Sequence, residues 1–205
     1  MRLFLTSDSF RNLNTETKNK FWKLVNKKPK ETRVAFIPTA SFFKQNKSYV
    51  EQDHQLLCDL GISIQNIIDI ELDNHITYNT LKLFDVVFVE GGNTFYLLQK
   101  TRESGFDKAI AKYLQKDLGV YVGVSAGTII AGPDIVIAKP YDDESKAKIK
   151  NTKGLELTPS IFLPHFQKRD KNIIEKYQTK TTCQIKPLRD GEAVISDGTH
   201  EKLIS

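Results

Sequence analysis

Short apolar runs rich in β-branched and aromatic residues alternate along the chain with amphipathic stretches, the pattern of parallel strands joined by crossover helices. Residues 3–6 predict a first strand, and residues 15–25, with Phe21, Trp22 and Val25 on one face, a first helix. Residues 34–37 predict a strand stopped by Pro38, residues 49–60 a helix ended by Gly61, and residues 62–68 a third strand. The run 85–89 is almost wholly apolar and leads into Gly91 and Gly92, which marks a strand buried on both faces. Helices are expected at 95–101 and 106–114. A second buried strand at 120–124 then runs into Ser125-Ala126-Gly127 and a short apolar helix to Ala131, closed by Gly132 and Pro133. Residues 134–159 are the least regular, with one short β-type run at 135–137. Beyond them come a strand at 161–163, a helix around 172–177 and hairpin-like strands at 184–188, 193–196 and 202–204. No repeat or linker divides the pattern, so one α/β domain over 1–205, a layered sandwich, is expected.

Composition narrows the class without naming a role. With 205 residues, 40% hydrophobic and 27% charged, the chain is neither disordered nor a disulfide scaffold. Thirty Lys and Arg against 25 Asp and Glu leave +5, a mild excess. Its densest stretch, Lys146, Lys148, Lys150 and Lys153, follows Asp142, Asp143 and Glu144, which reads as a solvated loop, and no nucleic-acid partner is expected. Cys58 and Cys183 stand in no CxxC and beside no His, so neither a metal nor a disulfide framework is expected. The apolar run near the N-terminus is too short for a signal-peptide core and no window approaches a membrane span, so a cytoplasmic protein without membrane association is expected. Monomer and homodimer are both compatible with the pattern.

The chemistry concentrates in Gly123-Val124-Ser125-Ala126-Gly127, a GxSxG placed where a buried strand meets a helix. Such a turn pushes the serine hydroxyl out above the sheet, and its glycines relieve clashes in the tight bend. A serine nucleophile needs a base, and the chain offers four histidines. His54 falls mid-helix among Glu51, Gln52 and Asp53, on an expected solvated face; His75 lies in a polar turn and His200 at a hairpin tip. His165 follows the apolar run 161–164, so a strand end delivers its ring to the sheet edge. The orienting acid should be buried beside it. Asp190, at a strand end, is the leading candidate, with Glu192 next and Asp142 or Asp143 third. Gly91-Gly92 suits an oxyanion hole, with the Gly92 and Ala126 N–H groups as donors. Asn93 and Thr94, which follow, are candidates for substrate binding or for capping the next helix.

Gly91-Gly92-Asn93-Thr94-Phe95, Leu97-Leu98, Gly123-Val124-Ser125-Ala126-Gly127, Gly132-Pro133, Pro164-His165-Phe166 and Leu188-Arg189-Asp190-Gly191 together resemble the aspartyl dipeptidase (peptidase E) family of serine peptidases, a more distant relative of cyanophycinase. The resemblance runs over essentially the whole length. It implies a flavodoxin-like three-layer sandwich with a mostly parallel sheet, similar to class I glutamine amidotransferases. It places the nucleophile at Ser125, the base at His165 and the acid at Asp190, where the best-known dipeptidase has Glu. It implies hydrolysis of short peptides through an acyl-enzyme, with no metal or organic cofactor. The order Ser, His, acid separates it from an α/β-hydrolase, in which His200 would be the base and Asp190 or Asp142 the acid. One departure stands out: a long loop separates the family's catalytic histidine from the arginine that reads an aspartyl substrate, whereas here three residues separate His165 from Arg169. Arg169 is the candidate for that contact or for a surface brace. The competing expectation is a catalytically silent small-molecule or interaction module on the same frame.

Overall fold

The structure is a computed structural model that describes residues 1–43 and 48–205. Strands β1 (Leu3–Thr6), β2 (Val34–Ile37), β3 (Ile67–Asp69), β4 (Val86–Val89), β5 (Val120–Val124), β8 (Ala193–Ser196) and β9 (Glu201–Ile204) form one sheet in the order β3-β2-β4-β5-β1-β8-β9. The first five are parallel, while β8 runs antiparallel to β1 and pairs with β9 as a hairpin. A separate parallel pair joins β6 (Ile161–Leu163) to β7 (Ile185–Pro187).

The sheet is covered on both sides, which is why its central strands read as unbroken apolar runs. Phe4, Phe36, Phe88 and Val122 point to one side, where helices α1 (Thr15–Val25) and α2 (Ser48–Asp59) bring Phe21, Val25 and Leu57. Phe36 and Phe88 stack there at 5.0 Å. Leu5, Ala35, Val87 and Tyr121 point to the other side, onto α3 (Tyr78–Leu81), α4 (Thr94–Glu103), α5 (Phe106–Gln115) and α6 (Ala126–Ala131). The last helix, α7 (Lys171–Gln178), packs Tyr177 into the same core.

The α6 helix lies so close to β4 that a Cβ on Gly127 would stand 2.2 Å from the Val89 carbonyl oxygen. Gly127→Ala is therefore expected to cost about 3 kcal/mol, read as a lowered urea midpoint at unchanged slope.

Three expectations need correction. Of the stretch 62–68 only Ile67 and Ile68 are strand, the start of β3, and a 3₁₀ turn at Ile64–Asn66 precedes them, because β3 is an edge strand paired only over Val34–Phe36. Residues 135–137 make no strand; Val136–Ala138 is a 3₁₀ turn begun when the Asp134 side chain accepts the Val136 N–H at 2.6 Å. The segment 184–188 is no hairpin arm, since β7 runs parallel to β6. The four-residue helix α3 is too short to leave a periodic pattern.

Candidate active site

The strand register sets the site. Thr6 pairs with Val124 and Val89 with Gly123, so Ser7, Glu90-Gly91 and Ser125 emerge side by side at the carboxyl ends of β1, β4 and β5. Open α/β sheets bind ligands at this edge. Strand β6 runs into Pro164-His165, and the turn between β7 and β8 presents Asp190.

Ser125 has φ 48° and ψ −106°, a conformation an L-residue rarely adopts and which costs of order 1–3 kcal/mol. Its surroundings hold it there. The Ser125 N–H donates to the Thr6 carbonyl at 3.1 Å, and the Thr128 hydroxyl lies 2.7 Å from the carbonyls of Thr6 and Gly123. A Cβ on Gly123 would meet the Gly127 backbone at 2.8 Å, and one on Gly91 would meet the Ser125 Cβ at 3.1 Å.

The structure brings Ser125, His165 and Asp190 into one hydrogen-bonded line. His165 Nε2 lies 3.1 Å from Ser125 Oγ, and Nδ1 lies 2.8 Å from Asp190 Oδ1. With Asp190 ionised, Nδ1 carries the proton and Nε2 is left to accept from the serine. Asp190 was expected to be buried, yet its side chain is 51% exposed and that of His165 52%. Ser7 supplies the constraint that burial would have given. Its hydroxyl accepts the His165 backbone N–H at 2.7 Å and donates to Asp190 Oδ1 at 2.6 Å, fixing a histidine whose backbone is itself left-handed at φ 55°.

The rival groups are engaged by other partners. Glu192 accepts the Arg189 N–H at 2.8 Å and braces its own turn. Asp142 accepts both the N–H and the hydroxyl of Thr94, at 2.9 and 2.6 Å, and Asp143 caps Ser145. His200 sits with Asp197 at the exposed tip of the β8–β9 hairpin, and His75 is exposed. His54 departs from its expected solvated face, packing edge-on against Phe36 at 4.2 Å and facing Asp69 at 2.9 Å.

Gly92 has φ 146° and a Cβ there would overlap the Ala40 carbonyl, so only glycine fits. The Gly91 N–H is engaged inward by Glu90 Oε1 at 2.8 Å. Among the described residues, the Gly92 and Ala126 N–H groups have no protein acceptor. Asn93 caps α4 by accepting the Tyr96 N–H, stands outside the cavity lining, and reaches the Asp143 carbonyl at 2.9 Å. Thr94 lines the cavity but is committed to Asp142. Arg169 is exposed and outside the lining, near enough to the rim for its charge to act on Tyr141.

The cavity in front of Ser125 measures about 400 Å³, with Asp8, Arg11, Glu90 and Tyr141 in its wall. The sequence reading missed Ser7, Asp8, Arg11 and Glu90. The strand-end criterion that selected Ser125 applies equally to Ser7, directly after β1, and to Glu90, directly after β4. Among the described residues no three His, Cys, Asp or Glu side chains gather as a metal site, and no helix is long and apolar enough to cross a membrane.

The model of peptidase family S51 matches residues 3–204. The chain belongs to peptidase family S51. It is 34% identical over 172 residues to an uncharacterized peptidase of Listeria monocytogenes, covering 80% of this chain and 82% of that one. It is 28% identical over 152 residues to peptidase E of Streptomyces coelicolor, covering 74% of this chain but only 58% of that longer protein. A crystal structure of a candidate peptidase E protein from Listeria monocytogenes EGD-e superposes with a TM-score of 0.82 at 30% identity, over 99% of this chain and 97% of the other. An S51 chain is a serine-type peptidase, so its reaction is peptide hydrolysis.

Proposed function

We propose that this S51 peptidase cleaves short peptides through an acyl-enzyme formed on Ser125. The observation that carries the reading is the relay itself: a strained serine whose hydroxyl is 3.1 Å from a histidine, whose far nitrogen is 2.8 Å from Asp190. Ser125 Oγ attacks the scissile carbonyl carbon while His165 Nε2 takes the hydroxyl proton. Asp190 holds the ring and stabilises the imidazolium. The negative oxygen of the tetrahedral intermediate is met by the Gly92 and Ala126 N–H groups. His165 then gives its proton to the leaving amine, and water, activated by the same histidine, frees the acyl group. A cavity of about 400 Å³ suits a few residues of peptide.

The first residue need not be aspartate. Asp8 and Asp142 contribute negative charge to the wall, and Arg11, its guanidinium, is engaged by Asp53 at 2.7 Å and by the Asp8 and Tyr49 carbonyls. Arg169 stands outside. A dipeptide and tripeptide panel with Asp, Ala or Leu first, resolved by chromatography, tests both points. Neutral first residues are expected to be cleaved at least as fast as Asp, and Arg169→Ala to change kcat/KM less than about threefold. A tenfold preference for Asp that Arg169→Ala removes would restore the aspartyl-reading role to Arg169.

A further inference from the structure

Behind the Gly91-Gly92 turn lies a buried acid that the proposed mechanism does not use. Glu90 is 1% exposed and Asp53, from α2, is 0% exposed, and the two carboxyl groups face each other. Glu90 Oε1 accepts the Gly91 N–H at 2.8 Å. Glu90 Oε2 and both Asp53 oxygens are buried without a geometric hydrogen-bond donor, although Arg11 approaches Asp53 Oδ1 at 2.7 Å. Two buried carboxylates in contact cannot both stay ionised, because the interior screens their repulsion poorly; a proton between them turns repulsion into a hydrogen bond.

We infer that Glu90 is kept protonated, donating to an Asp53 carboxylate that faces Arg11, and that this shared proton positions the Gly91-Gly92 turn for oxyanion binding. Charge placement decides which partner holds the proton. Asp53 has the Arg11 guanidinium in direct contact at 2.7 Å, while the direct donor to Glu90 is the Gly91 amide and the Arg11 charge reaches it less closely. Among the described residues, the Tyr49 phenol and the Ser9 hydroxyl also face the pair. Burial lifts the Glu90 carboxyl well above the usual carboxylate range, Asp53 lifts it further, and burial and Glu90 push the Tyr49 phenol up to about 12.

The consequence for the turn is directional. By occupying the Gly91 N–H from behind, Glu90 fixes the peptide plane so that the next amide, Gly92, is the one left for the cavity. Loss of the proton would put two negative charges in contact under the turn and release it. Arg11 extends the arrangement, since its guanidinium also donates to the Asp8 carbonyl, and the Asp8 side chain accepts the Gly191 N–H beside Asp190. Glu90 is thus a positioning residue, and its role rests on the serine-peptidase reading above.

Glu90→Gln, Glu90→Ala and Asp53→Asn separate the possibilities. A Gln at 90 still accepts from Gly91 and donates an N–H to Asp53, imitating the protonated acid. It is expected to keep kcat within about threefold, while Glu90→Ala lowers kcat about 30-fold or more with KM little changed, as for a misplaced oxyanion donor. Asp53→Asn, which strands Arg11, is expected to cost more than Glu90→Gln. Difference infrared spectra at neutral pH should show a protonated carboxylic acid band in the wild type that Glu90→Gln removes. In the pH–kcat profile, an alkaline fall in the wild type should be absent from Glu90→Gln. An absent infrared band, a Glu90→Gln variant as damaged as Glu90→Ala, or a reversed ranking of Glu90→Gln and Asp53→Asn would overturn the inference. The infrared reading needs no turnover, so the proton's place is tested even if Ser125 proves not to be the nucleophile. Circular dichroism on each variant keeps a folding defect from passing as a positioning effect; should Glu90→Ala not fold, the Gln and Asn pair with the infrared band still decide.

Discussion

Replacing Ser125 by alanine is expected to lower kcat/KM for any peptide the enzyme cleaves by about 10⁴-fold or more and to abolish covalent labelling by a fluorophosphonate. The residual rate would come from the two amides proposed to bind the oxyanion and from substrate binding, neither of which needs the hydroxyl. Alanine removes only an oxygen, so the fold should survive. It also retains the strained backbone, φ 48°, that Thr6, Thr128 and the flanking glycines impose. Labelling that persists undiminished in Ser125→Ala would mean that another residue is the nucleophile.

The second large effect belongs to the proposed acid. Asp190→Ala is expected to cost roughly 10³- to 10⁴-fold in kcat, whereas Glu192→Ala should stay within about threefold. Two residues apart in sequence, these carboxylates have different partners: Asp190 touches His165 Nδ1 at 2.8 Å, and Glu192 accepts the Arg189 N–H of its own turn. Without Asp190 the imidazole loses the acceptor that sets its tautomer, and Ser7, which donates to Asp190 and accepts from the His165 backbone, keeps only one of those two contacts. Parallel kinetics on one substrate decide the matter, and the opposite ranking would move the role to Glu192.

Much of the frame was legible because strands buried on both faces write themselves as continuous apolar runs: 3–6, 34–37, 86–89 and 120–124 needed no other signal. The edge was harder. At β3 the apolar pattern runs on through a 3₁₀ turn, since one strand with one neighbour has little to define its length. Within the candidate site, the strand-end positions of Ser125 and Asp190 were readable from their turns, and that of His165 from the apolar run before it. Ser7 and Glu90 were not, because a serine after a four-residue strand and an acid before two glycines are ordinary locally. They acquire meaning only when Thr6 is set beside Val124, and Val89 beside Gly123. Arg11 and Asp53 meet through contacts between separate segments, which no local pattern records.

The place of β8 has a consequence for the order of events during folding. Leu3 pairs with Ser196 and Thr6 with Ala193, so the first strand waits for almost the last before that part of the sheet closes. Such pairings between distant parts of a chain form late, because a long loop must be ordered first. A chain folded only through Ala131 holds the serine turn but neither the histidine nor the acid proposed to arm it. If the proposed triad is the catalytic one, hydrolytic competence should therefore appear in the same kinetic phase as the docking of β8 on β1, and a half-folded chain should not cleave peptides.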